Sequence, residues 1–343
     1  MVGDTGPSPE TSGHKKADLV LEGGGVKGIG LVGAITMLGS RDYTFPRVAG
    51  TSAGAIVGSL VAACAAKGRD VSCLIDIMNA VDYTKFRDKT PIDHLGPLGE
   101  GAELLLGRGI YKGDYLLSWL GEQLKNLEVE TFRDLRISAE DDPESVLPTN
   151  ERYRLVVMAT DVTSGQLVRL PWDCEDHYRI DPDDLLVVDA VRASMSIPFF
   201  FQPYMLPGTK TTFVDGGMLS NFPVEVFDRP DGRSRWPTFG IKLSTRPRQN
   251  ATMHPTSTTL ELAVSCLETL IDEHDAYHLD DDQTTARTIF VDTTGVSATN
   301  FDIDAATQQK LLASGKSAAD KFLTSWPPAG FTAEGSWTTK PQT

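Results

Sequence analysis

The chain has 343 residues, 40% hydrophobic and 23% charged, the composition of a globular protein with a large core. Its formal net charge of −15 argues against nucleic acid as a partner and against non-specific adhesion to anionic lipid. Four scattered cysteines (Cys64, Cys73, Cys174 and Cys266) lack C-x-x-C spacing and the density of a disulfide framework, so a reducing cytoplasm is the expected setting.

Residues 1–16 are polar and rich in Gly, Pro, Ser and Thr, and are expected to form a disordered lead rather than a secretory signal. Asp18 to Glu22 is nearly all apolar and reads as a buried strand. Gly23-Gly24-Gly25-Val26-Lys27-Gly28 follows, then an expected helix from Ile29 to Leu38. Strand, glycine loop and helix in that order present backbone N–H groups to an anion.

Three readings compete for this loop. Gly23, Gly25 and Gly28 satisfy G-x-G-x-x-G, but Asp42, the acidic residue at the right distance for a dinucleotide site, lies in an expected turn rather than at a strand end. A P-loop would need Ser or Thr after Lys27, where Gly28 stands. The third reading is an oxyanion hole. It alone explains the next element, a strand over Arg47 to Ala49 that runs into Gly50-Thr51-Ser52-Ala53-Gly54. This G-x-S-x-G spacing places a serine on a sharp strand-to-helix turn, exposed to the N-terminal dipole of the following helix. The pattern alone does not separate a nucleophile from an ordinary turn.

No charge occurs between Arg47 and Lys67. The helix expected from Ser52 to Lys67 would nevertheless reach only about 22 Å against roughly 30 Å of hydrocarbon, so it reads as a buried central helix of small residues. Gly68 is its expected C-cap, and another helix is expected over 70–80. Residues 81–111 are irregular and glycine-rich, and are read as a surface excursion in preference to a mobile apolar cover. A helix over 113–127, a short connection at 131–135 and a loop over 139–150 follow. A hairpin of strands 154–160 and 166–170 comes next, turning at 161–165. The acidic stretch 173–184 is expected to be a solvated loop. A helix over 185–194 should end before Pro198, leaving Phe199, Phe200 and Phe201 beyond it.

A strand over 211–214 then delivers Asp215-Gly216-Gly217 at its end. Strands at 239–243 and 288–291 and helices at 258–279 and 305–326 complete the pattern, before a Gly/Pro/Thr-rich tail. Alternating strands and helices imply an α/β fold with a mostly parallel central sheet flanked by helices. The expected division is a lead at 1–16, one domain at 17–326 and a loose tail at 327–343.

Three motifs in order, Gly23 to Gly28, Gly50 to Gly54 and Asp215-Gly216-Gly217, together with Ala193 to Pro198, resemble the patatin-like phospholipase family over roughly residues 17–325. The resemblance implies a three-layer patatin-like architecture and a Ser–Asp dyad, with Ser52 as nucleophile and Asp215 as general base. It implies an oxyanion site at the N–H groups around Gly24, Gly25 and Val26. It also implies a lipid ester as substrate, peripheral contact with a membrane or micelle, and no metal or cofactor. The rivals are a soluble esterase with a Ser-His-Asp triad and a silent or nucleotide-binding glycine-loop module. Of the six histidines (His14, His94, His177, His254, His274 and His278), His177 and His254 are the candidates such a triad would draw on.

Overall fold

The structure is a computed structural model. It describes residues 14–88, 109–143, 145–229, 235–244, 262–263, 265–266, 269–270 and 282–327. Most of the expected lead, the helix at 258–279 for the most part, the tail beyond 327, and His94, His254, His274 and His278 lie outside the described residues.

The strands are β1 (Lys15–Lys16), β2 (Asp18–Leu21), β3 (Tyr43–Thr44), β4 (Val48–Thr51), β5 (Gly109–Tyr111), β6 (Leu155–Asp161), β7 (Gln166–Leu170), β8 (Phe199–Phe201), β9 (Phe213–Asp215), β10 (Thr238–Lys242) and β11 (Thr288–Phe290). Among the described residues a seven-stranded sheet runs β11-β10-β2-β4-β6-β7, with β9 also on β6. From β11 to β6 every pairing is parallel, whereas β7 and β9 pair with β6 antiparallel. β2, β4 and β6 are buried at every position. Parallel strands covered on both faces are mostly apolar, which explains the runs Leu19–Leu21 and Leu155–Ala159.

The helices are α1 (Ile29–Gly39), α2 (Ala53–Ala66), α3 (Cys73–Asn79), α4 (Asp114–Asn126), α5 (Cys174–Tyr178), α6 (Val187–Ser194), α7 (Asp282–Ala286) and α8 (Ala305–Ser325). α1 and α8 cross at glycine: a Cβ on Gly33 would lie 2.1 Å from the Leu312 carbonyl oxygen, and one on Gly315 would lie 2.0 Å from that of Gly30. α2 is buried from Ala53 to Cys64, as a helix of small residues threaded through a core must be. Among the described residues no helix is long and apolar enough to cross a membrane.

Four local expectations change. Lys15 and Lys16, placed in the disordered lead, pair in parallel with Tyr43 and Thr44, because the edge beside β3 offers unpaired backbone groups. The described ends of 81–111 are built into the core rather than lying over it. Tyr83 and Phe86 are buried, and Phe86 packs on Tyr115, Trp119 and Phe301. Residues 89–108, which carry the candidate cover, lie outside the described residues. Phe199–Phe201 is a strand parallel to β5. Within 173–184, α5 and a single 3-10 turn replace a plain loop, because Asp173 and Asp183 are held by Arg169 and Arg136.

Candidate active site

The turn after β4 is tight. Ser52 has φ 53° and ψ −120°, a conformation costing a non-glycine residue about 1–3 kcal/mol. Its flanks must be glycine. A Cβ on Gly50 would sit 2.3 Å from the Gly54 carbonyl oxygen, and one on Gly54 would sit 2.2 Å from that of Leu21. The Ser52 N–H donates to Ser194 Oγ at 2.8 Å, which pins the strained backbone from across the site. The Ser52 hydroxyl makes a weak contact with Met195 Sδ at 3.5 Å.

Asp215 reaches the same place from the opposite chain direction. On β6 one flank is taken by β7, from Val157 to Asp161. On the other flank β4 ends with Thr51 opposite Met158, and β9 takes over with Asp215 opposite Ala159. The two short strands therefore meet end to end along one edge, which brings residues 52 and 215 together. Gly216 must pass the β6 backbone here, since its Cβ would lie 2.2 Å from the Met158 carbonyl oxygen.

The Asp215 N–H donates to the Ser196 carbonyl at 2.9 Å, and its Oδ1 accepts from the Gly217 N–H at 2.8 Å. Oδ2 is buried and without a hydrogen-bond partner. Burial, unopposed by any cation, pushes the carboxyl up to about 6; the nearby Ser52 hydroxyl and the Gly217 N–H pull it back only in part. The hydroxyl is thus close enough to be felt, yet in this conformation it is turned to the Met195 sulfur and makes no regular hydrogen bond to Oδ2. A rotation of the Ser52 side chain is the step that would join them.

The glycine loop lies against this pair. A Cβ on Gly23 would be 3.1 Å from the Ser52 Cβ and 2.2 Å from Asn221 Oδ1. The Gly23 N–H donates to the Asn221 carbonyl at 3.2 Å, tying the loop to the segment after Asp215. Gly25 has φ +53°, open only to glycine at this density of contact. The N–H groups of Gly24 and Gly25 carry no hydrogen bond among the described residues, whereas Val26 differs from expectation: its N–H donates to the Ala298 carbonyl at 3.1 Å. Two of the three expected oxyanion donors are therefore open in this conformation. Gly28 completes the loop against α2, its Cβ position 3.1 Å from the Ala53 Cβ. An apolar cavity of about 30 Å³ begins at Gly25, Val26 and Ala53 and is walled by Ile56, Met78 and Met195.

Ser194, Ser196 and Asn221 had no assigned role in the sequence. The only signal was that Ser194 and Ser196 fall within the Ala193 to Pro198 segment. Both described histidines, His14 and His177, are exposed, and neither contacts Ser52 or Asp215.

Several known proteins are similar to this chain. The uncharacterized protein YqhO of Bacillus subtilis (strain 168) is 35% identical over 319 residues, covering 90% of this chain and 98% of its own. The uncharacterized protein R571 of Acanthamoeba polyphaga mimivirus is 25% identical over 62% of this chain and 61% of its own length. Among solved structures, VipD from Legionella pneumophila aligns with 91% of this chain and 67% of its own, at 19% identity and a TM-score of 0.49. ExoU in complex with SpcU, from the type III secretion system of Pseudomonas aeruginosa, aligns with 91% of this chain and 52% of its own, at 18% identity and a TM-score of 0.42. Residues 19–228 match the patatin-like phospholipase family, and with more than half of its length so matched the chain belongs to that family.

Proposed function

We propose that the chain hydrolyses carboxylic esters of phospholipids or related glycerolipids through an acyl-enzyme on Ser52, with Asp215 as general base. Family membership supports lipid hydrolysis as the class of activity. The finer reading is carried by one observation: a strained serine meets a buried carboxylate that has one oxygen unpartnered.

The chemistry runs as follows. Ser52 Oγ attacks the ester carbon as its proton passes to Asp215 Oδ2. The carbonyl oxygen gains negative charge facing the Gly24 and Gly25 N–H groups, with the N-terminus of α2 adding its dipole. The bond to the alcohol breaks, and Asp215 returns the proton to the leaving oxygen. Water, deprotonated by Asp215, then attacks the acyl carbon, and the fatty acid leaves as Ser52 recovers its proton. A carboxylate near its ordinary value of about 4 is a poor base for a hydroxyl. Held at about 6 it is a stronger base, yet still ionised at neutral pH.

The acyl chain would enter the apolar cavity beside Ala53, displacing the pliable side chains of Met78 and Met195. Phe199 and Met205, 42% and 60% exposed on the segment leading to Asp215, would meet the lipid surface. A hydrolysis panel of lipid classes, run with wild type, Ser52→Ala and Asp215→Asn, tests the proposal. Fatty-acid release by wild type and its loss in both variants is expected. Hydrolysis that survives in Asp215→Asn would place the base elsewhere.

A further inference from the structure

α2 ends in a left-handed turn at Gly68, φ +61°, and the chain doubles back to begin α3 at Cys73. The turn is closed by the Arg69 N–H, which donates to the Cys64 carbonyl at 2.9 Å. This reversal brings two thiols together. Cys64 is buried on the last turns of α2, Cys73 is half-buried at the start of α3, and their Sγ atoms are 3.1 Å apart. The lipid chemistry uses neither sulfur, and nothing at the dyad depends on them.

We propose that Cys64 and Cys73 are a reversible oxidation site, closing an intramolecular disulfide under hydrogen peroxide and reopening with thiol reductant. The two sulfurs need to approach by only about 1 Å to reach bonding distance, and both helices are joined by one short turn.

The two cysteines are unequal in the way such chemistry requires. Cys64 is buried whereas Cys73 is half-buried and open to a small oxidant; the Cys64 thiol is pushed well up by its contact with Cys73 and then by burial, while the Cys73 thiol is lowered to about 7 by the same contact, against burial and Asp70. Cys73, the more accessible of the two sulfurs, is therefore the attacking thiolate. It attacks one peroxide oxygen; the O–O bond breaks, hydroxide leaves, and Cys73 becomes a sulfenic acid. The Cys64 sulfur then gives up its proton to that hydroxide, forming water, and attacks the Cys73 sulfur. The S–S bond forms as the S–O bond breaks, and the hydroxide that leaves takes up from solvent the proton Cys73 lost on ionising, giving the second water. Two thiols lose two electrons and peroxide gains them. The bond would fasten the start of α3, whose Met78 walls the apolar cavity, to the end of α2, which begins just after Ser52.

The full-length chain treated with hydrogen peroxide, denatured, alkylated with N-ethylmaleimide and mapped by mass spectrometry tests this. A mass loss of about 2 Da, a Cys64–Cys73 crosslinked peptide and recovery of both thiols with dithiothreitol are expected. Cys174, buried with its thiol pushed up to about 12, should stay alkylatable throughout. Cys64→Ser should stop at a dimedone-reactive sulfenic acid on Cys73. Full alkylation of Cys64 and Cys73 after peroxide, or a sulfenic acid on Cys73 in wild type with no crosslink, would overturn the proposal. Because the readout is covalent, its failure leaves the lipid reading intact, and the reverse holds too.

Discussion

Two buried aspartates at opposite ends of the sheet make the most instructive pair in this molecule. Asp18 opens β2 at one pole, 1% exposed, and Asp215 closes β9 at the other, 4% exposed. In both, burial raises the carboxyl above its ordinary value. Asp18 has a counter-charge: Arg47 contacts its Oδ2 through Nη2 at 2.5 Å and through Nε at 3.1 Å. Asp215 has only the Gly217 N–H and a nearby hydroxyl. The surroundings follow the same division. Around Arg47 lies a cavity of about 480 Å³, two of whose arginines are matched to acids, Arg154 to Asp141 at 3.2 Å and Arg235 to Asp142. At the Asp215 pole the cavity is small and apolar. Size does not mark the chemistry. What sets Asp215 apart from Asp18 is a buried carboxylate without a counter-charge, placed beside the strained Ser52.

That contrast can be broken most forcefully at the dyad. Ser52→Ala and Asp215→Asn should each lower lipid hydrolysis by about a thousandfold or more, read as fatty-acid release. Asp215→Asn should at the same time raise the melting temperature at neutral pH. A carboxyl whose folded value lies above its unfolded one contributes stability below about 4 and loses it as pH rises through about 6. The two-unit gap corresponds to about 3 kcal/mol, which the amide removes. A drop in melting temperature for Asp215→Asn would contradict the reading of an uncompensated charge.

The opposite pole should answer with stability rather than rate. Arg47→Met strands Asp18, and a broken buried pair costs about 3–5 kcal/mol. Urea denaturation should register that loss, while hydrolysis per folded molecule stays unchanged. Asp18→Leu added to Arg47→Met should restore much of it.

The pH profile sharpens the comparison next. On the proposed mechanism Asp215 must be ionised to accept the Ser52 proton, so kcat/KM should fall about tenfold per pH unit on the acid side, with its midpoint near 6. A midpoint near 4 would mean that Asp215 is hydrated in the working enzyme. A smaller effect is expected from Ser194→Ala, which removes the acceptor of the Ser52 N–H and leaves a buried donor unmet, about 1–3 kcal/mol. Its kcat should drop about tenfold with KM nearly constant. The smallest effect belongs to Arg235→Ala at the far pole, a pair with an exposed arginine: below about 1 kcal/mol in stability and none in rate.

The glycine motifs could be read from the sequence because their spacing marks tight turns between adjacent elements. Gly50 answers to a backbone that turns back on Gly54, and Gly23 to Gly28 form one loop between adjacent elements, although Gly54 and Gly25 also make room for the distant Leu21 and Ala298 carbonyls. The buried strands β2, β4 and β6 were equally legible, since strands covered on both faces are mostly apolar. The hairpin of β6 and β7 followed from its turn residues. The acidic segment 173–184 was misread because arginines pair with its carboxylates, Arg169 four residues before Asp173 and Arg133 and Arg136 far back in sequence, and composition carries no partner.

What the chain alone determined is the kind of chemistry available: a serine on a strained turn, a loop of exposed amides and an aspartate at a strand end. Tertiary structure decided that they meet. β4 and β9 lie more than 160 positions apart in sequence and approach from opposite directions, and only their shared edge on β6 sets residue 52 beside residue 215. The same holds for Ser194 and Ser196, which brace the pair, and for Ala298, which occupies the Val26 amide. Such bonds join backbone groups to distant partners, and a backbone N–H or carbonyl is the same in every residue but proline. No side-chain pattern can announce which one it will meet.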